Sequence, residues 1–402
     1  MLNIPQFIAS NITLRSKSMF ADDIEANKEN LREEIENKSV LVIGGAGTIG
    51  SSFIRATLKF KPSKLFVVDI NENGLTELTR DIRSTAGTYV PENYVTYPIN
   101  FADPVFEKLF RNEGGFDIVA NFSAHKHVRS EKDLYSVEAL IKNNVINARK
   151  LLDLLLDFPP KHFFCVSTDK AANPVNIMGA SKKIMEDMIM AYSAKYPITT
   201  ARFANVAFSN GSLLDGFIQR LMKRQPLSAP NDVRRYFVSP DESGEICMLA
   251  CMLGKSGEIY FPKLHPEQML TFAEIASAFL KNLGYDAVEC KSEEEARQMA
   301  KNRSESDTNY PVFYFSSDTT GEKAYEEFYT NEEDVDLANF QALGVIKNAP
   351  KRLMSEIDTL FAKLVQLFKN VNTTKTDVVE TMKIFLVNFN HEEKGKNLDS
   401  KM

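Results

Sequence analysis

From Lys38 onward, short β-branched or aromatic runs alternate with longer helical patterns, and this alternation constrains the fold more than any other feature. Such a rhythm builds βαβ units whose strands lie parallel in one sheet. The runs at 40–43, 65–69, 94–99, 118–122, 163–166 and 199–203 predict six strands, enough for a doubly wound α/β sheet. After about Gly211 the rhythm changes to longer helices with short strands such as 258–261 and 312–315, which predicts a smaller lobe closing over the mouth of the sheet. The expected organisation is a helical extension at 1–37, a sheet domain at 38–210, a mainly substrate-binding lobe at 211–368, and a helix with a loose polar tail at 369–402. Within the extension, 21–37 is highly charged and reads as a solvated cap or an oligomer contact.

The net charge of −6 gives no general footprint for nucleic acid or an anionic membrane, so a phosphate-bearing ligand needs a local cluster of donors. Cys165, Cys247, Cys251 and Cys290 show no CxxC pairing and lie in or beside apolar stretches, which reads as core thiols in a reducing compartment. His162, His265 and His391 have no spacing that predicts a metal site. No run has the length of a signal-peptide core or a membrane span, so a cytoplasmic location is expected.

Directly after the first strand comes Gly44-Gly45-Ala46-Gly47-Thr48-Ile49-Gly50, followed by a helical pattern. A glycine turn there lets backbone amides approach a pyrophosphate at a helix N-terminus. Asp69 follows at the end of the second strand, about twenty residues on, where a carboxylate accepts hydrogen bonds from a ribose diol and repels a 2′-phosphate. With no arginine in VVDINENG, the pattern predicts a Rossmann domain that binds NAD in preference to NADP. The expected cofactor contacts are Gly44, Gly47, Thr48, Ile49, Gly50, Asp69, Asn71, Asn100, Phe101 and Ser123, with Lys182 from a later helix.

At the end of the fifth strand stands Ser167-Thr168-Asp169-Lys170-Ala171, then Asn173-Pro174 and Met178-Gly179-Ala180-Ser181-Lys182. A tyrosine four residues before such a lysine would share its helix face and serve as a base. Met178 occupies that position, and a thioether takes up no proton at neutral pH. Either the chain binds a cofactor without catalysis, or the acid/base work falls to Thr168, Asp169 and Lys170.

STDKA followed by MGASK resembles the extended short-chain dehydrogenase/reductases that act as nucleotide-sugar 4,6-dehydratases on N-acetylglucosamine, especially the subgroup with methionine in the tyrosine position. The resemblance continues in NFSAHKHVR at 121–129, ARFANVAFSNGSL at 201–213, Arg235-Tyr236-Phe237 and GEKAYEEF at 321–328, and runs from about Ser39 to about Asn331. Two positions depart from it. Asn100 replaces the family's adenine-bonding aspartate, and Asp318-Thr319-Thr320 lacks the arginine expected before GEK. The pattern FSSDTTGEKAYEEF resembles most the GDP-N-acetylglucosamine 4,6-dehydratases of legionaminic acid pathways.

The resemblance implies an internal redox cycle: NAD takes a hydride from C4, water leaves across C5 and C6, and the hydride returns to C6. On that basis Asp169 is expected to handle the O4 and O6 protons and neutral Lys170 the C5 proton. Thr168 would bridge Asp169 to O4, and Lys182 would hold the nicotinamide ribose. Lys126, His127, Met178, Asn205, Ser212, Arg235 and Glu322 are the expected substrate contacts, with Asn144 as a supporting residue. The methionine subgroup implies retention at C5. The helix carrying Met178 and Lys182 is expected to form a homodimer contact or a higher assembly of dimers. A UDP-sugar substrate, a 4-epimerase or 4-reductase, and a non-catalytic NAD binder are the competing readings.

Overall fold

The computed structural model describes residues 3–127, 131–317, 323 and 325–391 of the 402-residue chain. Nine strands form the central sheet: β1 (Ser39–Ile43), β2 (Lys64–Val68), β3 (Asn93–Tyr97), β4 (Ile118–Asn121), β5 (His162–Val166), β6 (Ile198–Ala201), β7 (Glu258–Pro262), β8 (Asp334–Asp336) and β9 (Leu343–Lys347). Their order is β8-β9-β7-β6-β5-β4-β1-β2-β3. All neighbours from β3 to β7 pair in parallel, whereas β9 runs antiparallel to β7 and to β8. The six expected strands are all present, and the fold is a mixed α/β doubly wound sheet. β1, β4 and β5 read as continuous apolar runs because helices cover both faces of the sheet.

Three helices decide what surrounds the mouth of this sheet: α1 (Thr48–Leu58), α2 (Ile177–Tyr192) and α3 (Pro240–Leu253). α3 opens with a capping box in which the Ser239 hydroxyl accepts from Glu242 N and the Glu242 carboxylate accepts from Ser239 N. Its residues are buried nearly throughout. The stretch after Gly211 is therefore no single lobe, since α3, β7, β8 and β9 return to the main sheet. The separate lobe is built on a parallel three-stranded sheet of Leu227–Pro230, Asn309–Phe315 and Asp286–Glu289.

The N-terminal stretch differs from its expected role as a solvated cap. Phe20, Leu31 and Ile35 are fully buried in the main core. Asp23 accepts from the backbone of Gln341 and Ala342 at 2.7 and 2.8 Å, Glu34 pairs with His162, and Arg15 grips Glu242. Ile4, Phe7, Ile8 and Ile12 belong to the lobe instead, where Phe7 meets Phe208 and Phe279 edge-on. Charged residues at the surface positions of two short helices hide a sparse apolar face, so a reading by composition sees only the charge.

At the other end, α4 (Met354–Leu367) and α5 (Lys375–Phe385) fold back onto the sheet's helical layer. Arg352 pairs with Asp187 of α2. Arg149 lies between the rings of Tyr192 on α2 and Phe361 on α4, and bonds Asp358 at 2.9 Å. All of α2 except Lys183 and Ala191 is buried. Arg352, which pairs with Asp187 of α2, also donates to Phe385 O of α5, so α2 lies beside the C-terminal helices of its own chain. Leu364 is fully buried there, whereas Ile384 is 70% exposed. Leu364→Ala is expected to cost about 2–5 kcal/mol and Ile384→Ala about 0.5 kcal/mol or less, read from urea unfolding midpoints.

Candidate active site

The carboxyl ends of parallel strands form a crevice where the strand order reverses, and the chain places a cleft there, between the ends of β1, β2 and β4. Gly44, with φ of +76°, turns the chain out of β1, and a Cβ on it would stand 2.6 Å from Ser123 N. A Cβ on Gly50 would stand 2.4 Å from Gly44 O, so the first turn of α1 and the glycine turn touch backbone to backbone. Gly47 is the N-cap of α1 and makes no side-chain cap, which leaves the first amides of an eleven-residue helix to other acceptors. Asp69 stands beside this turn, its Oδ2 accepting from Ala46 N and its Oδ1 from Asn71 N.

Gly44, Gly47, Thr48, Ile49, Gly50, Asp69, Asn100, Phe101, Ser123 and Lys126 all line this one cleft. Asn71 does not; its side chain caps the helix Glu72–Ser84 by accepting from Gly74 N. The Thr48 hydroxyl accepts from Asn210 N at 2.9 Å, tying the turn to the start of the second half of the chain. Lys126 is an exposed residue at the rim, and its Nζ donates to Asn210 O. The walls around its ammonium lower its pKa by desolvation, with Asp215 opposing. A Cβ on Gly211 would lie 3.6 Å from His127 Nε2, which puts His127 on the same rim.

Asn144 lies in a π-helical stretch, Lys142–Asn147, and is buried rather than on the helix surface. Its amide accepts from His125 N and donates to His125 O and to Ser181 Oγ. The cleft wall after β4 is thereby pinned to α2. Asn143, beside it, also lines the cleft and was not expected from the sequence.

The second cluster sits at the end of β5. Thr168 Oγ1 donates to Asp169 Oδ1 at 2.8 Å, and Lys170 Nζ donates to the same oxygen at 3.0 Å. Asp169 begins a short 3₁₀ turn whose N-cap is Thr168, so its two neighbours converge on its carboxylate. Burial acts against the Lys170 ammonium, but Asp169 and Glu326 outweigh it against the opposing Arg235, and its pKa is raised. Met178 is buried on α2 and its backbone N–H donates to Glu131. Lys182, one turn further, donates to Val166 O at 2.9 Å, and burial lowers its pKa. In this conformation Lys182 tethers the end of β5 and does not line the cleft.

The expected phosphate and sugar contacts divide. Asn205 pairs through its backbone in a two-residue ladder, and the Ser212 hydroxyl caps the helix Leu213–Met222. Arg235 is 4% exposed and donates to Arg234 O and Lys323 O, with Glu326 Oε1 at 3.9 Å from Nη2. Its guanidinium thus faces Lys170's neighbourhood, where it meets a carboxylate. Glu322 lies outside the described residues. Glu326, like Asn143, was missed in the sequence; its signal was the acidic pair in GEKAYEEF, which carries no spacing to Lys170 along the chain.

Residues 40–348 match the family described as polysaccharide biosynthesis protein. The chain belongs to the polysaccharide biosynthesis protein family. Within it, the chain is 29% identical to an uncharacterised membrane protein of Methanocaldococcus jannaschii over 77% of this chain and 86% of that one. It is 27% identical to the capsular polysaccharide biosynthesis protein CapD of Staphylococcus aureus over 78% of this chain, and spans about half of CapD's length, 48%. It is 25% identical to the UDP-N-acetylglucosamine 4,6-dehydratase (inverting) of Campylobacter jejuni over 68% of this chain and 80% of that one. A solved dTDP-glucose 4,6-dehydratase, the DesIV double mutant of Streptomyces venezuelae with NAD and DAU bound, shares the fold. Its TM-score is 0.54 at 20% identity, covering 72% of this chain and 87% of that one. Among the described residues no helix is long and apolar enough to cross a membrane.

Behind the cluster at the end of β5, α2 and the segment at 328–333 share one charge network. Arg202, fully buried after β6, donates to Glu186 of α2 and to Glu333, all at 2.7–2.8 Å, and to Phe328 O. Arg202→Ala strands the buried Glu186 carboxylate and the half-buried Glu333 one, and is expected to cost about 3–5 kcal/mol, read from chemical unfolding monitored by circular dichroism.

Proposed function

We propose that this protein is an NAD-dependent nucleotide-sugar 4,6-dehydratase acting on an N-acetylglucosamine donor, with GDP-N-acetylglucosamine for legionaminic acid or related glycans as the first substrate to test. The observation that carries the reading is the convergence of Thr168 and Lys170 on one oxygen of Asp169 where the helix offers Met178 and no phenol. Simple hydride transfer needs one proton acceptor at O4. A carboxylate and an amine held 3.0 Å apart supply two proton-carrying groups, which elimination requires. The C. jejuni relative's name supports this chemistry and names a UDP-sugar, so UDP-N-acetylglucosamine is the second substrate in line.

The cleft fits NAD by its own residues. The uncapped amides of α1 suit the pyrophosphate, the close approach of Gly50 to Gly44 leaves the turn bare of side chains, and Asp69 suits a ribose diol. Bound there, NAD would supply the acceptor for a hydride from C4 and the donor that returns it to C6. The chain's residues handle the protons. Asp169, oriented by Thr168, takes the O4 proton and later gives one to the departing O6 hydroxide. The 4-keto group then acidifies C5–H, which Lys170 removes as the neutral amine and later returns.

Lys182 contributes positive charge behind the nicotinamide site, and Lys126 and His127 close the rim over the sugar. Return of the proton from the face that lost it gives retention at C5. A 4-epimerase would use the O4 base alone. The UDP-glucose 4-epimerase of Rickettsia felis, 25% identical over 90% of this chain, keeps that reading second.

Purified protein incubated with GDP- and UDP-N-acetylglucosamine is expected to yield a 4-keto-6-deoxy product lighter by one water, identified by mass and NMR. A product of unchanged mass inverted at C4 would replace this reading with the epimerase. Asp169→Asn is expected to lower turnover by about 10²–10⁴-fold while NAD binding, read by calorimetry, stays intact. Asp69→Ala is expected to weaken NAD by about ten- to a hundredfold in the same measurement.

A further inference from the structure

Lys170 faces more charge than its partner on the same loop. Its Nζ lies 3.0 Å from Asp169 Oδ1 and 3.8 Å from Glu326 Oε1. Glu326 in turn lies 3.9 Å from Arg235 Nη2. Asp169, Glu326 and Arg235 are each 5% exposed or less. Thr168 from the β5 loop completes the polar groups around Lys170, and Lys323 adds its field at Glu326 from the same segment. Two carboxylates and two cations therefore share one desolvated pocket, supplied by three stretches of chain far apart in sequence.

This arrangement opposes what the dehydratase cycle asks of Lys170. A lysine removes a proton only as the amine, and both carboxylates favour the ammonium. Asp169 is unavailable as the acceptor for the surplus proton, because the O4 hydroxyl has already filled it. Glu326 is the remaining carboxylate in reach. Burial raises its affinity for a proton, against Lys170, Arg235 and Lys323, and protonation of Asp169 removes one of the two carboxylates that hold the ammonium.

We propose that Glu326 is the proton store of Lys170, accepting the ammonium's proton once Asp169 has been protonated and returning it when the cycle closes. The inference rests on the dehydratase reading. A separation of 3.8 Å is longer than a hydrogen bond, so Nζ must swing from Asp169 toward Glu326, and a protonated Asp169 no longer holds it.

The protons balance. The O4 proton passes to Asp169 as the C4 hydride leaves, and the Lys170 proton passes to Glu326. The neutral amine takes the C5 proton, and the C6–O6 bond breaks with O6 taking the Asp169 proton to leave as water. As the hydride returns to C6, Lys170 gives its proton to C5, and Glu326 restores the ammonium. Glu326 touches neither sugar nor cofactor and acts through Lys170, which makes it a positioning residue.

The test compares the wild type, Glu326→Gln and Glu326→Asp on GDP- and UDP-N-acetylglucosamine. Oxidation at C4 is followed by nicotinamide absorbance, elimination by mass, and folding by thermal unfolding. Glu326→Gln is expected to keep the unfolding midpoint and the C4 oxidation while water loss falls by at least about tenfold across roughly pH 6 to 9. Glu326→Asp is expected to restore it to within about threefold. Water loss at the wild-type rate in Glu326→Gln, or a profile merely displaced to lower pH, overturns the proposal by reducing Glu326 to a charge.

Should Glu326→Gln fail to fold, infrared difference spectra of the wild type mixed with sugar decide the matter. Two carboxyl groups gaining protons supports the store, and a single one overturns it. A wild type that releases no water from either sugar overturns the dehydratase reading and this proposal together. Wild-type turnover with an unimpaired Glu326→Gln overturns this proposal alone.

Discussion

A buried guanidinium holds the two halves of the site at a fixed distance. Arg202 leaves the edge of β6 and binds Glu186 on α2 from one side and Glu333 and Phe328 O from the other. Such an arrangement gains little net energy over apolar packing, since the desolvation of three charges offsets their attraction. What it supplies is registration. α2 carries Met178 and Lys182, and the segment ending at Glu333 carries Glu326, so the geometry around Lys170 follows from where Arg202 sits. Ser167, next to Thr168, also donates to Glu186 at 2.6 Å, bringing the β5 loop into the same network.

The cofactor cleft was legible in the sequence because its determinants are local. A glycine turn between a strand and a helix, followed by an acid at the next strand end, is written within some thirty residues and needs no long-range contact to be interpreted. Thr168, Asp169 and Lys170 were legible for the same reason, being consecutive and placed by one strand. Glu326, and its nearness to Arg235, were not, because these partners lie far apart along the chain and only the tertiary fold decides whom a charge meets. Arg235 was expected as a substrate contact from its chemistry and its place in Arg235-Tyr236-Phe237, and the fold sets Glu326 3.9 Å from it.

The second half of the chain shows the same limit in the backbone. β7 and β9 are short apolar runs, and such runs do not announce whether they join the main sheet or a lobe. β7 joins because α3 lies along α1 and delivers it beside β6 in parallel. The charged N-terminal stretch was read by its dominant composition, although Phe20, Leu31 and Ile35 are what position it. For β7 and the N-terminal helices the pattern identified the element and packing set the partner, whereas β9 was not anticipated at all.

The fold-back of α4 and α5 over α2 has a kinetic side. A ribosome delivers α2 well before its cover, with about 160 residues between Tyr192 and Met354. At synthesis rates of about 5–20 residues per second, that interval lasts roughly 10–30 s. During it the outer side of α2 stands bare, an apolar helix beside a sheet already able to form. The nascent chain therefore passes through a stage in which holdase binding or mispairing between neighbouring chains competes with the arrival of its own last two helices.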